Sequence, residues 1–79
     1  MTLTLMSRIY CSLCTDMQAQ LQALQAEFDF ELVVLDVDAD PALEALYDEL
    51  VPVLLAGDEQ LCHWHLDLAK VRAYLTDMG

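Results

Sequence analysis

The run ELVVLDV (Glu31–Val37) constrains this chain more than any other stretch. Its valine-rich apolar residues do not alternate with polar ones, so it reads as a strand covered on both faces, as in a parallel or mixed sheet. Ahead of it TLTLM (Thr2–Met6) alternates threonine and leucine and reads as another strand. Between the two, Leu13, Met17, Leu21, Leu24 and Phe28 recur at helical spacing, with Gln18, Gln22, Gln25 and Glu27 on the opposite face. Strand, helix and strand in this order demand a parallel pair joined by a right-handed crossover.

The second half extends the pattern. Asp40 before Pro41 is an N-cap followed by proline at the first helical position, and Leu43, Leu46, Tyr47 and Leu50 form the inward stripe of a short helix. VLLA (Val53–Ala56) and QLCH (Gln60–His63) read as a hairpin around Gly57-Asp58-Glu59. A last helix begins near Asp67, which sits at the capping position, with Leu68, Val71 and Leu75 inward. The order β-α-β-α-β-β-α predicts an α/β fold: one domain, 1–79, with a four-stranded mixed sheet and helices on both faces.

Charge narrows the function. Three basic residues against fourteen acidic ones give a net charge of −11. Nucleic acid and anionic membranes are not expected as partners, because contacts to either need Lys and Arg. A protein partner is expected to present a neutral or basic face. No apolar run approaches the ~20 residues of a membrane span, and the N-terminus lacks a basic segment followed by a long apolar one. Three cysteines cannot form a closed disulfide framework, since one is left over. A cytoplasmic, reducing setting is expected.

Two of those cysteines, Cys11 and Cys14 in RIYCSLC, stand where the strand pattern gives way to the helical one. Residues three apart share a helix face, so their sulfurs can close a small ring. Cys11 at the helix N-terminus faces free backbone N–H groups and the positive end of the dipole, which favour the attacking thiolate. Cys14, one turn in, would resolve the mixed disulfide. Arg8, one of three cations, adds to thiolate stability if it folds toward Cys11. Tyr10 borders the same place and would shape a substrate groove.

The alternatives are weaker. Zinc would need Cys62, His63 or His65 as further ligands, but on a strand Cys62 and His63 point to opposite faces. No metal site is expected; Cys62 reads as a core residue and the two histidines as rim residues beside Trp64. DVDAD (Asp36–Asp40) opens like a calcium loop, yet Pro41 and Tyr47 stand where the loop needs Gly and Glu.

The element order, SRIYCSLC after the first strand and VPVLLAGDEQL before the last helix resemble the glutaredoxins. More particularly they resemble the short bacterial glutaredoxin-like proteins of the thioredoxin fold. The resemblance covers nearly the whole chain. It implies a thioredoxin-like fold and a cis peptide bond at Val51-Pro52, packed across from the cysteines. The Val51 backbone N–H and C=O would then face the Cys11 sulfur and pair with bound substrate. It implies a thiol–disulfide oxidoreductase with Cys11 as nucleophile and Cys14 resolving. Its substrate would be a protein or small-molecule disulfide, and an external electron donor would recycle it. Ser12-Leu13 replace the family's Pro-Tyr between the cysteines, positions that tune the thiolate. Cys62-His63 replace the Gly-Gly that helps glutathione approach, so efficient use of glutathione is not expected, and no cofactor is expected. The alternative is a binding or redox-sensing module of the same fold, docking a partner through its acidic surface.

Overall fold

The computed structural model describes residues 1–78, the last by its backbone alone. The elements are β1 (Thr2–Ser7), α1 (Ser12–Leu24), β2 (Glu31–Asp36), a 3-10 turn (Val37–Ala39), α2 (Pro41–Tyr47), β3 (Val53–Ala56), β4 (Glu59–His63) and α3 (Leu68–Met78). The sheet runs β2-β1-β3-β4. β1 pairs parallel with β2 over its whole length, from Thr2 opposite Glu31 to Ser7 opposite Asp36. β3 lies antiparallel on the other side of β1, with Val53 opposite Met6, and β4 closes the hairpin. The sheet is mixed, as the element order predicts.

Alternation along β1 and β3 divides the core in two. Leu3, Leu5, Leu54 and Ala56 face Met17, Leu21 and Leu24 of α1 and Val71 and Leu75 of α3. Met6, Val53 and Leu55 face the other way, toward Val37 and the half-buried Leu43, Tyr47 and Leu50. Local chemistry fixes the joints. The Asp40 carboxylate accepts the Ala42 N–H at 2.9 Å and caps α2, with Pro41 at its first turn. Asp67 accepts the Lys70 N–H at 3.1 Å and caps α3. The hairpin turn is Gly57-Asp58, one residue tighter than expected: Ala56 pairs with Glu59, and Gly57 takes φ +61°. A register shift in β4 sets Cys62 opposite Leu54 and Gln60 opposite Leu55, so Leu61 and Cys62 are both buried.

The Glu31–Val37 run departs from expectation. It is not covered on both faces: β2 is an edge strand, and Val33, Val34 and Leu35 are all exposed. The seven-residue α2 packs over β1 and β3 and does not reach across β2. For the same reason α2 buries no residue fully, and Leu46, placed in its inward stripe from sequence, points to solvent. Leu68 is half exposed at the first position of α3. Phe28 lies beyond the end of α1 yet still packs against the larger core. Among the described residues no helix is long and apolar enough to cross a membrane.

These burials give a direct contrast. Leu54→Ala empties a fully buried site and is expected to cost about 2–5 kcal/mol in urea denaturation. Leu46→Ala is expected to stay within about 0.5 kcal/mol of the parent. Equal losses in the two variants would contradict the placement of α2.

Candidate active site

One end of the sheet gathers the candidate residues. β1 ends at Ser7, and the chain leads through Arg8, Ile9 and Tyr10 to Cys11. Because Met6 pairs with Val53, the Val51-Pro52 step lies at the same end, and because Val53 pairs with His63, so does Trp64. Sequence separations of forty and fifty residues are thus closed by two antiparallel registers.

Cys11 is the N-cap of α1, with extended backbone angles (φ −114°, ψ 110°). Its Sγ accepts the Cys14 N–H at 3.2 Å, so a free donor of the first turn is directed at sulfur. The Thr15 N–H and hydroxyl both donate to the Cys11 carbonyl at 3.1 Å and close that turn. Cys11 and Cys14 are joined as a disulfide, with Cα atoms 5.2 Å apart. Their exposure is unequal: Cys11 is partly exposed and Cys14 is 1% exposed. No acidic residue lies in the first turn of α1, so none of its own side chains opposes the helix dipole there.

Two hollows flank this turn. Leu13 lines one of about 170 Å³ together with Met17, Trp64 and Leu66. Tyr10 lines another of about 290 Å³ with Arg8, Thr15, Val34 and Asp36. Ser12, at the first position of α1, is exposed. Trp64 was not singled out from sequence, although its backbone and ring both tie the end of β4 to the preceding loop. Its N–H donates to the Pro52 carbonyl and its indole Nε1–H to the Glu49 carbonyl, each at 2.9 Å. The His63 ring packs edge-on against it at 4.8 Å. A lone tryptophan directly after a strand was the available signal.

The Val51-Pro52 bond is cis, and Pro52 is fully buried. One detail differs from what the resemblance implied. The Val51 N–H does not face the sulfur; it donates to the Tyr47 carbonyl at 3.1 Å, which also receives the Leu50 N–H at 2.9 Å as α2 ends. Arg8 also lies otherwise than anticipated. Its guanidinium grips Asp38 through Nε and Nη2, at 2.9–3.1 Å, and also bonds Asp48. These bonds, that to Asp48 foremost, raise its pKa further. Its charge is matched by two carboxylates rather than offered to Cys11, and no sequence spacing announced partners thirty and forty residues away.

Cys62 is buried in the larger core, and burial pushes its thiol pKa up. His63 lies on the opposite face of β4, with Nδ1 2.9 Å from the Gln60 amide, and His65 is exposed. Among the described residues no three His, Cys, Asp or Glu side chains are grouped to hold a metal.

A four-stranded mixed sheet with three helices and a C-x-x-C at the first helix defines a thioredoxin-like protein. Thioredoxin 1 of Thermosipho africanus shares the fold (TM-score 0.66, 21% identity, 99% of this chain and 98% of that one). The family model "Glutaredoxin-like domain (DUF836)" matches residues 2–76, and the chain belongs to that family. The solution structure of Ne2328 from Nitrosomonas europaea is similar at 42% identity and TM-score 0.85, over 94% of this chain and 89% of that one. Protein Rv0508 of Mycobacterium tuberculosis is 30% identical over 74 residues, covering 87% of this chain and 76% of that protein.

Two side chains here are open to direct test. Tyr10 is fully exposed yet holds φ +63°, a left-handed conformation that costs a residue with a side chain about 1–2 kcal/mol. Glycine relieves this, offset by about 0.5–1 kcal/mol of extra chain entropy. Tyr10→Gly is therefore expected to match the parent or gain up to about 1 kcal/mol in urea denaturation. A clear loss would mean that the ring makes stabilising contacts.

For Cys62, the unfolded chain releases its proton near the ordinary thiol value of about 8.5, while the folded chain retains it. Its contribution to stability is complete below that pH and declines as pH rises through it. With the Cys11–Cys14 disulfide closed, stability should fall more from about pH 8 to about pH 9.5 in the parent than in Cys62→Ala. Identical slopes would rule this out.

Proposed function

We propose that this protein is a thiol–disulfide oxidoreductase acting in the reducing cytoplasm, with Cys11 as nucleophile and Cys14 as resolving thiol. The observation that carries this reading is the unequal pair at the start of α1: an accessible sulfur receiving a backbone N–H, bonded to a buried one. In the reduced protein the Cys11 thiolate attacks one sulfur of a substrate disulfide and releases the other as a thiolate, leaving a mixed disulfide on Cys11. Cys14 then loses its proton and attacks the Cys11 Sγ. The Cys11–Cys14 bond forms, the second substrate thiol departs, and two electrons have passed to the substrate. An external thiol or dithiol donor returns them.

The surroundings supply the rest. Tyr10, Ser12 and Leu13 neighbour Cys11 in the chain, and Tyr10 and Leu13 line the two hollows beside this turn. The Val51 carbonyl, beside the buried Pro52, is the backbone group this loop offers to a bound chain, its N–H being engaged with Tyr47. Arg8 acts here as a positioning residue, anchoring the loop before Cys11 to Asp38 and Asp48. Glutathione is a poor fit as substrate or donor. Cys62 and His63 stand where the family's small residues would admit a tripeptide backbone, and Arg72 is paired with Glu27. Protein disulfides are the better substrate class.

Mass spectrometry of single variants tests the scheme. Cys14→Ser is expected to accumulate a mixed disulfide with a disulfide-bonded protein substrate, while Cys11→Ser accumulates none and loses reductase activity altogether. Equal trapping by both variants would reverse or remove the roles. A pair that oxidises reversibly but supports no turnover with any thiol donor would leave a redox-sensing module in place of an enzyme.

A further inference from the structure

We infer that the exposed edge of β2 is a docking strand for an extended, basic polypeptide segment of a partner protein. β2 has a neighbour on one side only, so its outer row of N–H and C=O groups points away from the sheet. Three consecutive apolar residues on it, Val33, Val34 and Leu35, are 40%, 41% and 38% exposed. Their directions follow from pairing. Val34 shares the face of Leu5, on the α1 side, while Val33 and Leu35 share the face of Thr4 and Met6, beyond the reach of α2. An added strand would therefore cover apolar surface on both faces. Natural edges are usually blunted with lysine, proline or a bulge. β2 has no lysine or proline, and it pairs with β1 in regular register throughout.

Charge selects the occupant. Residues 29–40 hold five carboxylates, Asp29, Glu31, Asp36, Asp38 and Asp40, and no Lys or Arg. Arg8, which reaches this region, offsets one of them at Asp38. A second copy of this chain is a poor match. Two-fold antiparallel pairing centred on the strand sets Glu31 against Asp36 of the copy at both ends, between chains that each carry −11. A segment alternating apolar residues with lysine or arginine satisfies the backbone edge, the apolar side chains and the acidic flanks together. The carboxyl end of β2 opens into the hollow shared by Val34, Asp36 and Tyr10, the residue before Cys11.

The test uses the oxidised protein and a capped octapeptide that alternates valine with lysine and contains no cysteine, so it does not depend on thiol chemistry. Failure here leaves the redox reading untouched, and failure of turnover leaves this one untouched. Titration followed by amide NMR should show saturable shifts concentrated in residues 31–36, with slowed exchange of the outer β2 amides. The valine–glutamate octapeptide should not bind. Asp29→Lys with Glu31→Lys, two exposed acids without side-chain partners among the described residues, should weaken the lysine peptide about tenfold, as should a rise from low to about 0.5 M salt. The inference is overturned by three results: no saturable binding at millimolar peptide, shifts that map to α2 or α3, or a dimer in sedimentation whose formation protects the β2 amides.

Discussion

The parallel ladder between β1 and β2 is the contact on which the rest of this structure depends. It holds six residues of each strand in register, and the helix that must connect them is thereby laid over one face of the sheet. A slip of one residue would turn Leu3 and Leu5 to the other face and send Thr4 beneath α1. It would also move Ser7, and with it the start of the loop that ends at Cys11. The position of the Cys11 sulfur is therefore set by strand register. The helix contributes only after that, by turning the Cys14 N–H toward an atom already delivered to its end.

How far the sequence discloses this depends on the range of the interaction. Period and cap are local, so α1, β1, the hairpin and the capping roles of Asp40 and Asp67 were legible from a few neighbouring residues. So was the Cys11–Cys14 pair, where spacing and helix geometry coincide. The both-sided covering of Glu31–Val37 was misread. Continuous apolarity reports that a strand is apolar, not which neighbours it finds, and here α2 is too short to roof it. Leu46 was misplaced because the inward face of so short a helix is taken by Leu43 and Tyr47. The pairing of Arg8 with Asp38 and Asp48 and the clamp made by Trp64 depend on tertiary placement alone. No local pattern encodes them.

Two aromatic residues in left-handed conformations stand on either side of the site, Tyr10 at φ +63° and Trp64 at φ +64°. Such angles persist where the surroundings over-determine them. For Trp64 the determinants are visible: hydrogen bonds from its backbone and ring to the loop before β3, and His63 against its face. For Tyr10 the constraints come from its neighbours. Arg8 is fixed two residues before it and Cys11 is fixed as a cap one residue after. The chain has to turn sharply between those anchors, and Tyr10 takes the turn with its ring in solvent. A fully exposed aromatic ring next in sequence to Cys11 contributes nothing to a folding core.

Charge completes the account of why the site is built from backbone. The chain has three cations; Arg8 is matched by Asp38 and Asp48, Arg72 by Glu27, and Lys70 lies in the first turn of α3. Against a net charge of −11, a thiolate at Cys11 gains nothing from the average field of the protein. Its stabilisation has to come from dipoles within a few ångströms, where the absence of acids in the first turn of α1 and the Cys14 N–H act without competition. Short-range dipoles favour the sulfur, while the long-range field acts on whatever approaches it. That field would repel small anionic thiols and attract basic protein surfaces. If Cys11 works as proposed, the same acids that oppose its thiolate would restrict the partners that reach it, before any contact with the sulfur.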